Sequence, residues 1–161
     1  MHRHTLVLTL VTLVTLAAPA TALAADGTRV TRFTGSDTGT FTSTPLDGGI
    51  VSSQERTTGW ATGGIGRYTL VASELVNLTT FDVTNGAWTL TARKGTLEGT
   101  YAGSASVSNE GVITFHVRGR ITKGTRRYKG ARGTVRFDGR GLPNGQLSET
   151  MSGVLVLPPH H

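Results

Sequence analysis

The sequence predicts an all-β fold in which antiparallel strands close into a barrel, and three observations carry that expectation. Apolar and polar residues alternate with period two through most of the chain, the pattern of strands with one buried and one wet face. Turn residues separate the alternating runs, and the 161 residues include 22 glycines but no cysteine, a composition that favours strands and tight turns over long helices. Glycines also fall inside the runs, at Gly99, Gly103, Gly119 and Gly153, where they weaken a flat sheet but permit the bends of a closed one. Many short strands leave exposed edges, and closure removes them, so a barrel is favoured over a two-sheet sandwich.

Taken in order, the chain begins with Arg3 flanked by His2 and His4, an apolar run at 6–18, Pro19, and the small-residue tail ATALAA. That is the three-part pattern of a secretory signal peptide, with Ala22 and Ala24 fitting the small-x-small cleavage rule. The apolar run is shorter than the roughly 20 residues a membrane-spanning helix needs. Residues 1–24 are therefore read as a removable leader and 25–161 as a single β-barrel domain, secreted and without a membrane span after cleavage. No twin arginine is present in the leader, so export as an unfolded chain is expected.

The alternating runs lie at 28–34, 38–44, 55–61, 67–78, 87–93, 97–103, 111–121, 133–138 and 147–157, eight or nine strands in all. In 111–121, Ile113, Phe115, Val117 and Ile121 share one face, with Thr114, His116, Arg118 and Arg120 on the other. Asn85-Gly86 reads as a hairpin turn ahead of the Trp88, Leu90, Ala92 face, and Lys94-Gly95 as the turn after it. The run 67–78 is partly apolar on both faces, which predicts a strand packed on two sides. A weak repeat joins TGGIGRY at 62–68 to TKGTRRY at 122–128 and points to a duplicated hairpin. Neither copy precedes a helix, so its glycines are read as turn formers rather than a phosphate cradle.

The segment ITKGTRRYKGARGTVRFDG, through Ile121, Thr122, Gly124, Thr125, Arg127, Tyr128, Gly130, Ala131 and Gly133, resembles a glycine-rich motif of the allene oxide cyclase barrel-like and dirigent-like proteins. GWATGGIGRYTLVASELVNLTT and WTLTARKGTLEGTYAGS are similar to earlier strands of secreted bacterial members. The resemblance covers residues 56–155. It implies an eight-stranded antiparallel barrel, often a homo-oligomer, with a central cavity. Some members of that group catalyse cyclisations, or guide the coupling of reactive small molecules, without a cofactor. Fold does not carry function, and no family catalytic carboxylate or tyrosine matches a particular position here. The chain departs from the motif at Lys123, Arg126, Lys129 and Arg132, each adding positive charge, and Arg126 stands where a glycine would ease a turn.

Charge is uneven along the chain. Between Arg118 and Arg140 nine basic residues face one acid, Asp138, so this stretch holds the whole positive excess. Lys123, Arg126, Arg127, Lys129 and Arg132 are candidate contacts for an anionic polymer, while a solvated barrel face accounts for the same charges without a partner. Specific nucleic-acid recognition is the least favoured reading of the stretch.

Glu74 alternates in phase with Tyr68, Leu70, Ala72, Val76 and Leu78, and Glu149 with Leu147, Met151 and Leu155. If those faces point inward, each carboxyl enters an apolar space, where burial raises its pKa and suits it to proton transfer; Glu74 and Glu149 are thus the candidate catalytic residues. If the other faces point inward, both lie on the surface or rim. Tyr68, Trp88, Tyr101 and Tyr128, with Trp60, are candidates to line a small-molecule site, or else ordinary core. No cluster has metal-ligand spacing, no serine sits in a nucleophile elbow, and no cofactor is implied. Asn77-Leu78-Thr79 matches a glycosylation acceptor but is discounted for a bacterial chain. Three readings remain: a barrel binding a hydrophobic or amphipathic small molecule, a cofactor-free isomerase or cyclase acting on a secondary metabolite, and a basic surface protein gripping anionic polymers.

Overall fold

A computed structural model describes residues 21–23 and 27–159 of the chain. The strands are β1 (Thr21–Leu23), β2 (Arg29–Pro45), β3 (Ile50–Ala61), β4 (Gly66–Asn77), β5 (Asp82–Ala92), β6 (Gly95–Val107), β7 (Ile113–Gly124), β8 (Arg132–Gly141) and β9 (Gln146–Leu157). Each strand from β2 to β9 pairs antiparallel with the next, and β2 also pairs with β9, which closes an eight-stranded barrel. The long β2 makes closure possible. Its first part runs beside β9, from Arg29 opposite Leu157 to Thr40 opposite Gln146. Its second part runs beside β3, from Gly35 opposite Ala61 to Pro45 opposite Val51. β1 adds three residue pairs at the start of β2. The expected leader and its cleavage site otherwise lie outside the described residues.

The antiparallel barrel is as predicted, with three differences in detail. The runs 28–34 and 38–44 are one continuous strand, because Gly35 and Ser36 carry the backbone between them in extended form. Asn85-Gly86 is not a hairpin turn but a bulge inside β5: the register against β4 skips between Ser73 and Leu75, and against β6 between Val83 and Gly86. Asn85 takes the left-handed conformation (φ 54°), which asparagine tolerates better than most residues, and this absorbs the extra residue. Finally, β4 is not packed on two sides, since Val71 on its outer face is exposed.

Alternate residues fill the lower barrel. Phe33, Ala61, Ile65, Tyr68, Leu97, Ile121, Tyr128, Ala131, Val135, Leu155 and Leu157 are all buried and plug one end. The strand glycines serve this filling as much as bending: a Cβ placed on Gly99 would stand 2.7 Å from the Trp88 ring and 1.9 Å from the Arg120 carbonyl. Both copies of the weak repeat fall at this plugged end, one at the β3–β4 connection and the other leading into the 3-10 turn Arg126–Tyr128 between β7 and β8. Arg126 adopts φ 51° there, so the turn keeps the geometry that a glycine would have eased.

Candidate functional site

The opposite end is open. A cavity of about 200 Å³ descends from a mouth formed by Phe41, Leu78, Phe81, Val107 and Ile113 to a floor near Trp88, Leu70 and Phe137. By volume it holds on the order of ten waters or one small organic molecule. Leu46, Leu78 and Val107, on three different inter-strand connections or their edges, are exposed apolar residues around the mouth. Phe81 lies on the lip with φ 59°, a costly backbone for an aromatic residue, held by hydrogen bonds from its N–H to the Asn77 carbonyl and from the Ala105 N–H to its own carbonyl.

Acids stand out against this apolar wall. Glu55, Glu74 and Glu149 line the cavity, and Asp37 sits deeper, directly opposite Glu149 across the β2–β9 ladder. Asp37, Glu74 and Glu149 are buried. Among the described residues no Lys, Arg or His lines the cavity, so the acids are not neutralised by cations. Two tyrosines serve them instead. Tyr68 donates its hydroxyl to Asp37 Oδ2 at 2.5 Å, and Tyr101 donates to Glu74 Oε2. The β5 bulge makes the second contact possible: the Tyr101 ring lies over Gly86, where an added Cβ would stand 2.3 Å from its Cδ2.

Three buried oxygens near the floor, Asp37 Oδ1, Thr57 Oγ1 and Glu149 Oε1, have no hydrogen-bond partner, nor has Trp88 Nε1. Carboxylates so placed cannot all hold charge. Burial, and then the charges of Asp37 and Glu55, holds Glu149 well above the usual carboxylate range. Burial raises Asp37 too, against the opposing hydrogen bond from Tyr68 and the nearness of Thr57 and Glu149. Glu55 is reached from the cavity yet surrounded by protein; burial first, then the charges of Glu74 and Asp37, pushes it up to about 8. Tyr68 and Tyr101 are both raised, chiefly by burial and then by the acids they serve, and act as hydrogen-bond donors rather than bases. Glu55 therefore keeps its proton at neutral pH, and Asp37 and Glu149 are displaced toward the protonated form, so the interior can hold or release protons.

The sequence-predicted residues divide accordingly. Glu74, Glu149, Trp88 and Tyr101 meet at the cavity, and the inward phase of both glutamates is the one that places them in apolar surroundings. Tyr68 lies below the floor with Asp37. Tyr128 is buried at the plugged end, with its hydroxyl unpartnered, and does not line the cavity. Trp60 is 56% exposed on the outer wall. Asp37 and Glu55 escaped the sequence reading because their inward faces are dominated by Thr, Ser and Gly, which blur the period-two signal. The usable sign was Asp37 recurring in phase with Thr31, Phe33 and Phe41.

The basic stretch forms an outer wall on β7 and β8. Arg118 stands directly opposite Arg136, and Arg140 opposite Thr114. Asp138 accepts from Arg136 (Nε to Oδ2, 2.6 Å) and lies 2.6 Å from His116 Nδ1; the Arg136 hydrogen bond, seconded by His116, holds its carboxyl below the ordinary range. Of the five polyanion candidates, Lys123 pairs with Glu98 (3.2 Å), and Arg132 donates to the carbonyls of Thr122 and Ala131. Arg126, Arg127 and Lys129 are exposed around the turn at the plugged end. Among the described residues no group of three or more His, Asp or Glu side chains is arranged to hold a metal ion. No family model, no curated protein and no solved structure matches the chain.

Proposed function

We propose that this protein is an exported barrel that takes up a hydrophobic or amphipathic small molecule through its open end, and that it is related to the allene oxide cyclase barrel-like and dirigent-like proteins it resembles. The observation that carries the reading is a cavity with an apolar wall, ringed at its mouth by exposed apolar residues and containing a few polar groups at its floor, the usual make-up of a small-molecule site. The closed eight-stranded barrel is the architecture that the resemblance implies. Titration with N-phenyl-1-naphthylamine, a neutral fluorescent probe, tests it. Saturable quenching of tryptophan emission that persists in Trp60→Phe and disappears in Trp88→Phe is expected, because only Trp88 borders the cavity. A monodisperse sample that shows no saturable quenching ends the proposal.

A second reading, cofactor-free isomerisation or cyclisation of a secondary metabolite, is favoured by one arrangement: Tyr101 hydrogen-bonded to Glu74, with Glu149 lining the same cavity from β9. A carboxyl raised by burial in an apolar cavity, as Glu149 is, is suited to proton transfer. In that reading Glu74→Gln or Glu149→Gln abolishes turnover without emptying the cavity of ligand.

A further inference from the structure

We infer that the cavity selects ligands bearing a cationic amine head on an apolar body, with Glu149 as the group that meets the ammonium. This rests on the small-molecule reading above and names the ligand class that the reading leaves open. Glu149 is 4% exposed, lines the cavity, and receives no hydrogen bond at Oε1; its one close polar neighbour is the Asp37 carboxyl, which it can hydrogen-bond only through a shared proton. Gly139 lies opposite it on β8, where the Phe115 ring fills the space a side chain would take, and on its other side stands Asp37 of β2. The remaining titratable groups around it are Glu55 on β3, Glu74 on β4 and Tyr101 on β6, which line the cavity, and Tyr68 on β4 below the floor. Every one of them is an acid or a phenol. An anionic head would add charge among acids that no cation answers and that burial already displaces toward the neutral form, and a neutral one would leave those acids unanswered. An alkylammonium supplies the missing counter-charge, donates to the unpartnered oxygen, and can rest against the faces of Trp88 and Tyr101. Above it, the Val76, Val83, Phe115 and Val117 side chains receive the hydrocarbon.

The binding step balances without any co-reactant. Burial and the acidic neighbours displace Glu149 toward its protonated form in the free protein; the arriving R–NH₃⁺ stabilises the carboxylate, and the proton held by the carboxyl leaves to solvent. Ammonium affinity therefore rises with pH until the amine itself loses its proton, while the affinity of a neutral ligand does not.

The test compares hexylammonium, hexan-1-ol and hexanoate by Trp88 emission and calorimetry on the full chain at pH 6 and 8, with the ammonium titrated in two buffers of different ionisation enthalpy. Hexylammonium is expected to bind about tenfold tighter than hexanol at pH 8, with proton release, and hexanoate weakest. Glu149→Gln is expected to reduce the ammonium to the level of the alcohol while alcohol binding stays. Equal binding of ammonium and alcohol, preference for hexanoate, or ammonium uptake without proton release overturns the inference and leaves the small-molecule reading standing. No binding by any of the three, nor by the naphthylamine probe, overturns the small-molecule reading itself. Should Glu149→Gln fail to fold, the comparison of head groups on the unaltered chain decides alone.

Discussion

Asp37 and Glu149 face each other across the β2–β9 ladder inside the barrel, close enough to hydrogen-bond through a shared proton, and each has one carboxyl oxygen to which no other group of the protein donates. Two carboxylates in such a place repel, and both are displaced toward the neutral form by burial. The fold is therefore most comfortable when the pair carries at least one proton, and this sets how stability responds to pH.

Stability is expected to fall as pH rises. A carboxyl whose folded pKa is raised keeps more protons in the folded than in the unfolded chain. Its contribution is complete below the unfolded value and is lost as pH climbs through the folded one. For Glu55 the window runs from 4.5 to about 8, and Asp37 and Glu149 act in the same direction. Glu55 is part-exposed to the open cavity, where solvent screening reduces its effect, so its share is on the order of 1–2 kcal/mol. Asp138 acts oppositely, since its lowered pKa gives up stability as pH falls through the acid range, but it is on the outer wall and its share is small. Urea unfolding at pH 5 and 8.5 is expected to show the lower midpoint at 8.5, with Glu55→Gln flattening the difference.

Removing the hydroxyl of Tyr101 leaves the buried Glu74 without its donor. Tyr101→Phe is expected to cost about 1–3 kcal/mol, the penalty of an unpaired buried polar group, and Glu74→Gln beside it is expected to recover part of that loss. Chemical denaturation of the two single variants and the double variant measures the coupling. Additive losses would mean that the hydrogen bond contributes nothing specific.

The β5 bulge is expected to be intolerant in one residue and forgiving in the next. At Asn85 the left-handed backbone makes Asn85→Gly nearly neutral, while Asn85→Val is expected to cost about 1–2 kcal/mol. At Gly86 even a methyl group collides with the Tyr101 ring, so Gly86→Ala is expected to displace that ring and weaken its hold on Glu74. Thermal unfolding reports the cost. Tyrosine absorbance titration reports the changed surroundings of the ring.

The same pair of residues shows how far the sequence could be read. Period-two alternation located the strands from β4 onward and put Glu74 and Glu149 on apolar faces, because there Leu, Val, Trp and Phe contrast sharply with Thr and Arg. Asn-Gly is the same signal for a two-residue hairpin and for a bulge, since both need a left-handed residue; what decides is whether the flanking runs pair with each other or with third strands, and that is a tertiary matter. Asp37 and Glu55 were hidden for a related reason. On β2 and β3 the inward face carries Thr31, Ser53 and Thr57, so polarity no longer distinguishes inside from outside, and the acid cluster becomes visible only when the barrel closes. Tyr128, a candidate for either cavity or core, is buried in the 3-10 turn between β7 and β8 at the plugged end, because the sequence pattern does not fix the height at which a turn residue packs within the barrel.

Arg118 lies directly opposite Arg136 on the outer wall, and like charges facing each other across a ladder are unfavourable. Asp138 answers Arg136 and His116, leaving Arg118 and Arg140 without an acidic partner among the described residues. Two outcomes separate an anion-binding wall from an ordinary solvated one. Arg118→Glu is expected to raise the thermal midpoint by relieving the opposed pair, whichever view is right. If the wall grips anionic polymers, the same substitution also lowers the salt needed to elute the protein from a heparin matrix, and retention of the unaltered chain falls steeply between low and physiological salt. A midpoint that rises while elution is unchanged assigns the arginines to solubility rather than to a partner.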